Sequence, residues 1–244
     1  MTQHPLSDET LQALKAHLIS VWPEEGCGYI KDGVFYPVAN LAEDKEHAFE
    51  FPADLMLVEP DIIVHSHTVG YADKNPSHDA RAPSHADLVG QLNTAVEWAL
   101  CVTDGQTCED PRFWGNPSNR PPLVGRDFIH NLQDCFSLAQ DWYYAERGLV
   151  LPNVARTPFW NQEGENHIAE HYASFGFVEI PLSELQHGDA LLYQVRSKVP
   201  NHIGIYVGDN RVLSHWAGRI SQEEDFGTWA RYIVTALRYQ GDKQ

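Results

Sequence analysis

A cysteine at the first turn of a helix and a histidine at the head of a strand are the residue types that thiol-based acyl transfer requires. Asp134-Cys135-Phe136-Ser137-Leu138 reads as a helix start, with Asp134 as N-cap. The positive end of the helix dipole and the unpaired backbone N–H groups there favour thiolate, the reactive form. His202 opens Asn201-His202-Ile203-Gly204-Ile205-Tyr206-Val207-Gly208-Asp209, an otherwise apolar strand with a polar head. A nucleophilic thiol needs such a base, and the base needs an orienting group. His215 lies in Val212-Leu213-Ser214-His215-Trp216. A hairpin turning at Asp209-Asn210 carries it back towards His202, where it would hold the imidazole in one tautomer.

A second set of residues points to metal chemistry. His65-Ser66-His67 closes a compact strand, and strand side chains alternate, so both imidazoles share one face. Pro83-Ser84-His85-Ala86-Asp87 opens a helix further on, and Glu25 lies upstream in Glu24-Glu25-Gly26-Cys27-Gly28. Two histidines and a carboxylate make a three-ligand zinc site with one position open for water. A nearby glutamate takes the proton of that water, and a serine hydroxyl hydrogen-bonds the oxyanion.

The elements that must position these residues fall into two groups. Towards the N-terminus the pattern predicts a helix over 7–22, a hairpin over 27–39 turning at Lys31-Asp32-Gly33, and a short helix over 52–58. A strand over 61–68, a helix from Ser84 and a strand over 98–103 follow. Residues 69–83 read as a loop. Turn formers crowd residues 104–124, so the expected division is a first domain over 1–108, a linker over 109–122 and a second domain over 123–244. In the second, a helix runs from Asp134 to Arg147, closed by Gly148. Strands are predicted over 190–195, 202–208, 212–216 and 232–238.

Charge follows the same division. The chain carries a net charge of −17, but residues 1–110 hold 5 Lys+Arg against 19 Asp+Glu, while residues 111–244 hold 12 against 15. A phosphate backbone needs a positive surface, so nucleic acid is excluded as the main partner. None of the four cysteines forms a C-x-x-C pair, which excludes a ribbon-type structural zinc, and Cys101 reads as core. There is no run of about 18 apolar residues and no basic start followed by an apolar stretch. The expectation is a chain made and folded in a cytoplasm, wherever it later works.

The order of motifs in the second half resembles the NlpC-type cell-wall cysteine peptidases. It runs Asp-Cys at a helix start, Gly188-Asp189-Ala190-Leu191-Leu192, Asn-His-Ile-Gly-Ile-Tyr-Val-Gly-Asp, then a strand with histidine. The resemblance covers roughly residues 120–240. It implies a papain-like α+β domain with Cys135, His202 and His215 as its triad. Many members carry a tyrosine about ten residues before the cysteine that assists the oxyanion. Here that stretch reads Arg126-Asp127-Phe128-Ile129-His130-Asn131, with His130 or the Cys135 backbone N–H as the replacement. Residues 8–105, roughly, resemble the JAMM metallopeptidases, whose pattern is Glu, His-x-His, then Ser-x-x-Asp. That implies an α/β domain in which His65, His67 and Asp87 hold Zn2+, Glu25 is the general base and Ser84 helps the oxyanion. An insertion over 71–81 lengthens the loop before Ser84 and holds a rival, Ser77-His78-Asp79. His78 and His85 are further possible ligands or proton relays.

This two-domain layout is similar to that of tail-tip assembly proteins of long-tailed phages. The likeness implies a peptidoglycan-peptide hydrolase made in a bacterial host cytoplasm and carried at the virion tail tip. It would act in tail assembly or in crossing the host cell envelope as the genome is delivered. The implied partners are other tail-tip proteins and peptidoglycan peptide stems, with no transmembrane segment. Two readings from other classes stand beside it: a structural assembly component with idle sites, and a cellular JAMM isopeptidase.

Overall fold

The computed structural model describes residues 6–69, 79–116, 120–157, 160 and 165–241. It divides into two compact units, Met1–Arg120 and Pro121–Gln244. No helix among the described residues is long and apolar enough to cross a membrane.

The first unit opens with helix α1, Asp8–Ser20. Ser7 caps it, its hydroxyl accepting the Thr10 N–H, and Leu14 and Leu18 make its buried side. Strands β1 (Cys27–Lys31) and β2 (Val34–Val38) form a hairpin whose turn, Asp32-Gly33, has positive φ at both residues. A single 3₁₀ turn over Leu55–Val58 stands where a short helix is predicted. Strand β3 (Ile62–Thr68), helix α2 (His85–Thr94) and strand β4 (Glu97–Thr103) follow. β3 and β4 pair in parallel, which requires a crossover, and α2 lies in it. The sheet order is β2-β1-β3-β4-β5, with β5 being Arg112–Trp114. β5 lies inside the stretch 109–122 expected as a linker: Trp98 pairs with Trp114 and Leu100 with Arg112. The turn formers around it end the strand early instead of excluding it. Leu14, Leu18, Ile30, Ile62, Val64, Ala99 and Cys101 pack as the core.

Helix α3, Cys135–Arg147, begins the packed part of the second unit and ends at Gly148, whose φ of 64° only glycine adopts without strain. Helix α4 (His167–His171) and strands β6 (Phe177–Ile180), β7 (Ala190–Tyr193) and β8 (His202–Gly208) follow. Strands β9 (Arg211–Ser214), β10 (Gln222–Asp225) and β11 (Ile233–Tyr239) complete it. The sheet order is β10-β9-β8-β7-β11-β6, with every pairing antiparallel. The strand alternation of β7 shows how the sheet is covered on both sides. Ala190 and Leu192 join Leu138, Trp142 and Tyr143 of α3, while Leu191 and Tyr193 face Trp216 and Trp229. Gly188, at φ 91°, packs where a Cβ would strike Trp142, and its carbonyl accepts the Tyr143 hydroxyl at 2.7 Å.

Candidate functional site

In the second unit the thiol sits on the first residue of α3. The Asp134 carboxylate caps the helix, accepting the N–H of Asn131, Phe136 and Ser137, each at 3.0 Å. The buried guanidinium of Arg156 closes the set at 2.9 Å. Burial raises the Asp134 carboxyl, but Arg156, His130 and the backbone donors outweigh it and leave it below its ordinary value. A fixed negative charge therefore stands next to Cys135, against the expectation that the helix start favours thiolate. Burial first, and the Asp134 carboxylate second, push Cys135 up to about 12, against the pull of the Ile203 backbone N–H and Arg156. At neutral pH Cys135 is a thiol.

His202 opens β8 and is buried. Its ring lies face to face on Trp216, centroids 3.5 Å apart and planes 15° from parallel. The register sets this contact: Gly204 pairs with Ser214, so continuing the ladder puts His202 opposite Trp216. The Trp216 indole N–H donates to Glu224 at 2.8 Å, which fixes the plane on which the imidazole rests. Burial and the neighbouring His215 drive His202 down to about 3, with Asp134 opposing. Its Nε2 is buried without a hydrogen-bond partner.

His215 is also buried, its ring edge-on to Phe128 at 5.2 Å. Burial and the Arg126 cation lower it. No hydrogen bond joins it to His202. The polar orienting contact expected of His215 is not formed, and Trp216 supplies orientation by stacking. Counting back from the Asp209-Asn210 turn would have found Trp216, because an antiparallel ladder fixes which residue faces His202. Arg156, which neutralises the N-cap, carries no such signal in the sequence.

Cys135, His202, Phe128, Trp216, Trp229 and Arg219 line one open cleft of about 290 Å³. Phe128 brings a ring without a hydroxyl to this cleft. His130 faces the Thr157 carbonyl at 3.3 Å through its Nε2.

In the first unit, β3 delivers His65 and His67, and α2 delivers Asp87 from the adjoining helix start. This is the carboxyl end of the parallel pair, where α/β sheets place their sites. His65 Nε2 lies 3.4 Å from one Asp87 oxygen and His67 Nε2 3.4 Å from the other. All three residues are buried, with one donor atom from each lying within 4.8 Å of the others. The His67 Nδ1–H points at the Ala80 carbonyl at 2.9 Å, which turns its Nε2 towards Asp87. Neither nitrogen of His65 has a hydrogen-bond partner. Two buried imidazoles aimed at a buried carboxylate fit a zinc-class cation. Burial raises Glu25 to about 8, with His67 opposing and Asp87 adding to the rise. Ser84 and Asp87 form a reciprocal cap: Asp87 accepts the Ser84 N–H at 2.7 Å and the Ser84 hydroxyl accepts the Asp87 N–H at 3.1 Å. The Ser84 proton stays available to donate. His85 is exposed and outside this cluster, and Ser77 and His78 lie outside the described residues.

Comparison with known proteins adds kinship to this geometry. The family model described as NlpC/P60 matches residues 113–238. Tail tip assembly protein K of Escherichia phage lambda is 37% identical over 121 residues, 49% of this chain and 60% of that protein. The protein of the same name from Escherichia phage N15 is 29% identical over 247 residues, 96% of each. An NLP/P60-family protein of known structure from Staphylococcus aureus subsp. aureus Mu50 aligns at a TM-score of 0.35 with 21% identity. That alignment covers 49% of this chain and 38% of that one.

Proposed function

This chain belongs to the NlpC/P60 family, and from that premise we propose that its second unit hydrolyses peptide bonds of peptidoglycan through Cys135 and His202. The observation that carries this reading is the cleft that Cys135 and His202 line together, with both groups neutral. A neutral pair dictates the course of the reaction. As the sulfur attacks the amide carbonyl, the His202 imidazole takes the thiol proton, and the backbone N–H groups at the start of α3 receive the oxyanion. Collapse of the tetrahedral adduct breaks the C–N bond, and the imidazolium gives its proton to the leaving amine. Water then attacks the thioester, with His202 again as base, and frees the carboxylic acid and the thiol. His215 tunes His202 through space. The bond that family resemblance points to is the one after D-glutamate, joining it to diaminopimelate.

The names of the two phage relatives support a tail-tip setting for this activity, with other tail-tip proteins as partners and the host envelope as the site of action. In the first unit, the JAMM-type reading gives His65, His67 and Asp87 the task of holding zinc, which supplies a Lewis acid to a water and a carbonyl. With the metal bound, Glu25 would serve as the general base and Ser84 as the hydroxyl donor to an oxyanion.

Digestion of purified peptidoglycan by the full chain tests the first assignment. Release of stem peptides should vanish in Cys135→Ala and persist in chelator. Unchanged digestion by Cys135→Ala would overturn it. Absence of activity in the unaltered chain would leave an assembly role for the fold.

A further inference from the structure

Outside both sites, the segment before β6 carries a third set of donor groups. Helix α4 reads His-Ile-Ala-Glu-His, which puts His167, Glu170 and His171 at i, i+3 and i+4 on one side of a single turn. Ile168 turns inward as the buried residue of that turn. One donor atom from each of His167, Glu170 and His171 lies within 4.8 Å of the others. The two imidazoles are nearly parallel, 8° between planes with centroids 6.3 Å apart. Glu165 holds His167 Nε2 at 2.6 Å. A carboxylate on one nitrogen of an imidazole is the usual support for a metal-binding histidine.

The surroundings favour a ligand as well. His167 and His171 are half-buried and form one wall of a small apolar cavity of about 50 Å³, which Phe136 and Ile203 also line. Phe136 and Ile203 directly follow Cys135 and His202 in the chain. Imidazole and carboxylate donors together suit zinc and its neighbours over calcium or magnesium. Bonds of about 2.1 Å in a tetrahedral set bring donors to within about 3.4 Å of each other. Small side-chain rotations close the remaining gap.

We propose that His167, Glu170 and His171 bind one zinc-class divalent cation, with Glu165 supporting His167. This site is separate from the His65, His67 and Asp87 cluster and does not rest on either hydrolytic assignment. It fixes the α4 wall of the apolar cavity behind the thiol.

Zinc titration of the full chain by calorimetry, after chelator treatment, tests it. The unaltered chain should take up two equivalents, and His167→Ala/His171→Ala should take up one. The His65→Ala/His67→Ala variant should keep the equivalent that belongs to α4. If the first-unit cluster binds nothing, the unaltered chain takes up one equivalent and His167→Ala/His171→Ala takes up none, which still supports the α4 site. Equal uptake by the unaltered chain and His167→Ala/His171→Ala would overturn it. Should that variant fold poorly, imidazole nitrogen resonances of the unaltered chain give a second readout. His167 and His171 must shift on adding zinc, and their standing still would equally overturn the site.

Discussion

Both units bury an imidazole whose nitrogen finds no hydrogen-bond partner, and they support it by different means. In the second unit, His202 rests on the face of Trp216, itself anchored by Glu224, and its neighbour Asp134 is matched by Arg156. In the first unit, His65 and His67 converge on Asp87, with Glu25 close behind. The first arrangement balances its charges within the protein. The second gathers acid and base around a point that a cation would occupy. A buried polar atom without a partner is costly, so each calls for an ordered water, a ligand or a reacting group beside it. The groups around each site tell these cases apart.

The comparison breaks most sharply at the nucleophile. Cys135→Ala should lower peptidoglycan hydrolysis by about 10³-fold or more while the zinc content of the first unit stays as it was, measured by turnover assay and metal analysis on one preparation. Conversely, His65→Ala/His67→Ala should empty the first site and leave Cys135-dependent turnover within about twofold. A fall in both quantities from either change would mean that the two sites are not independent.

Arg156→Ala strips the partner from a buried carboxylate and should destabilise the second unit by about 3–5 kcal/mol in urea. The acid response is next in size. His202 sits at about 3 in the fold, below its unfolded value of about 6.5, so the fold favours its neutral form. Its contribution is complete above pH of about 6.5 and is lost as pH falls towards 3, a change of a few kcal/mol. Urea midpoints of the second unit across that window should fall with acidification, and His202→Gln should flatten the slope. The smallest effect is at Trp216. Trp216→Phe keeps a ring but loses the Glu224 anchor, and should lower kcat about tenfold with little change in KM. A larger change in KM would make Trp216 a substrate contact instead.

Where side chains repeat with a period, the sequence and the fold agree closely. The Ser7 cap, the alternation through β8, and Gly148 after α3 each carry their own local cause. Elements without such a cause stay hidden. β10 reads Gln222-Glu223-Glu224-Asp225, four polar residues that form a strand only because β9 offers its edge. β5 is three residues long, and α4 is a single turn. The metal-type cluster was legible because alternation puts His65 and His67 on one face. The sign of the Cys135 shift was not, because the helix dipole is visible in sequence while burial is a property of the folded chain.

That shift has a consequence for how long the nucleophile lasts. Peroxides and disulfides attack thiolate far faster than thiol. A proton held up to about 12 leaves little of Cys135 ionised at neutral pH. The same setting that makes the sulfur depend on His202 for activation slows its oxidation, although Cys135 lines an open cleft. A thiol kept protonated in this way outlasts a thiolate in the same cleft.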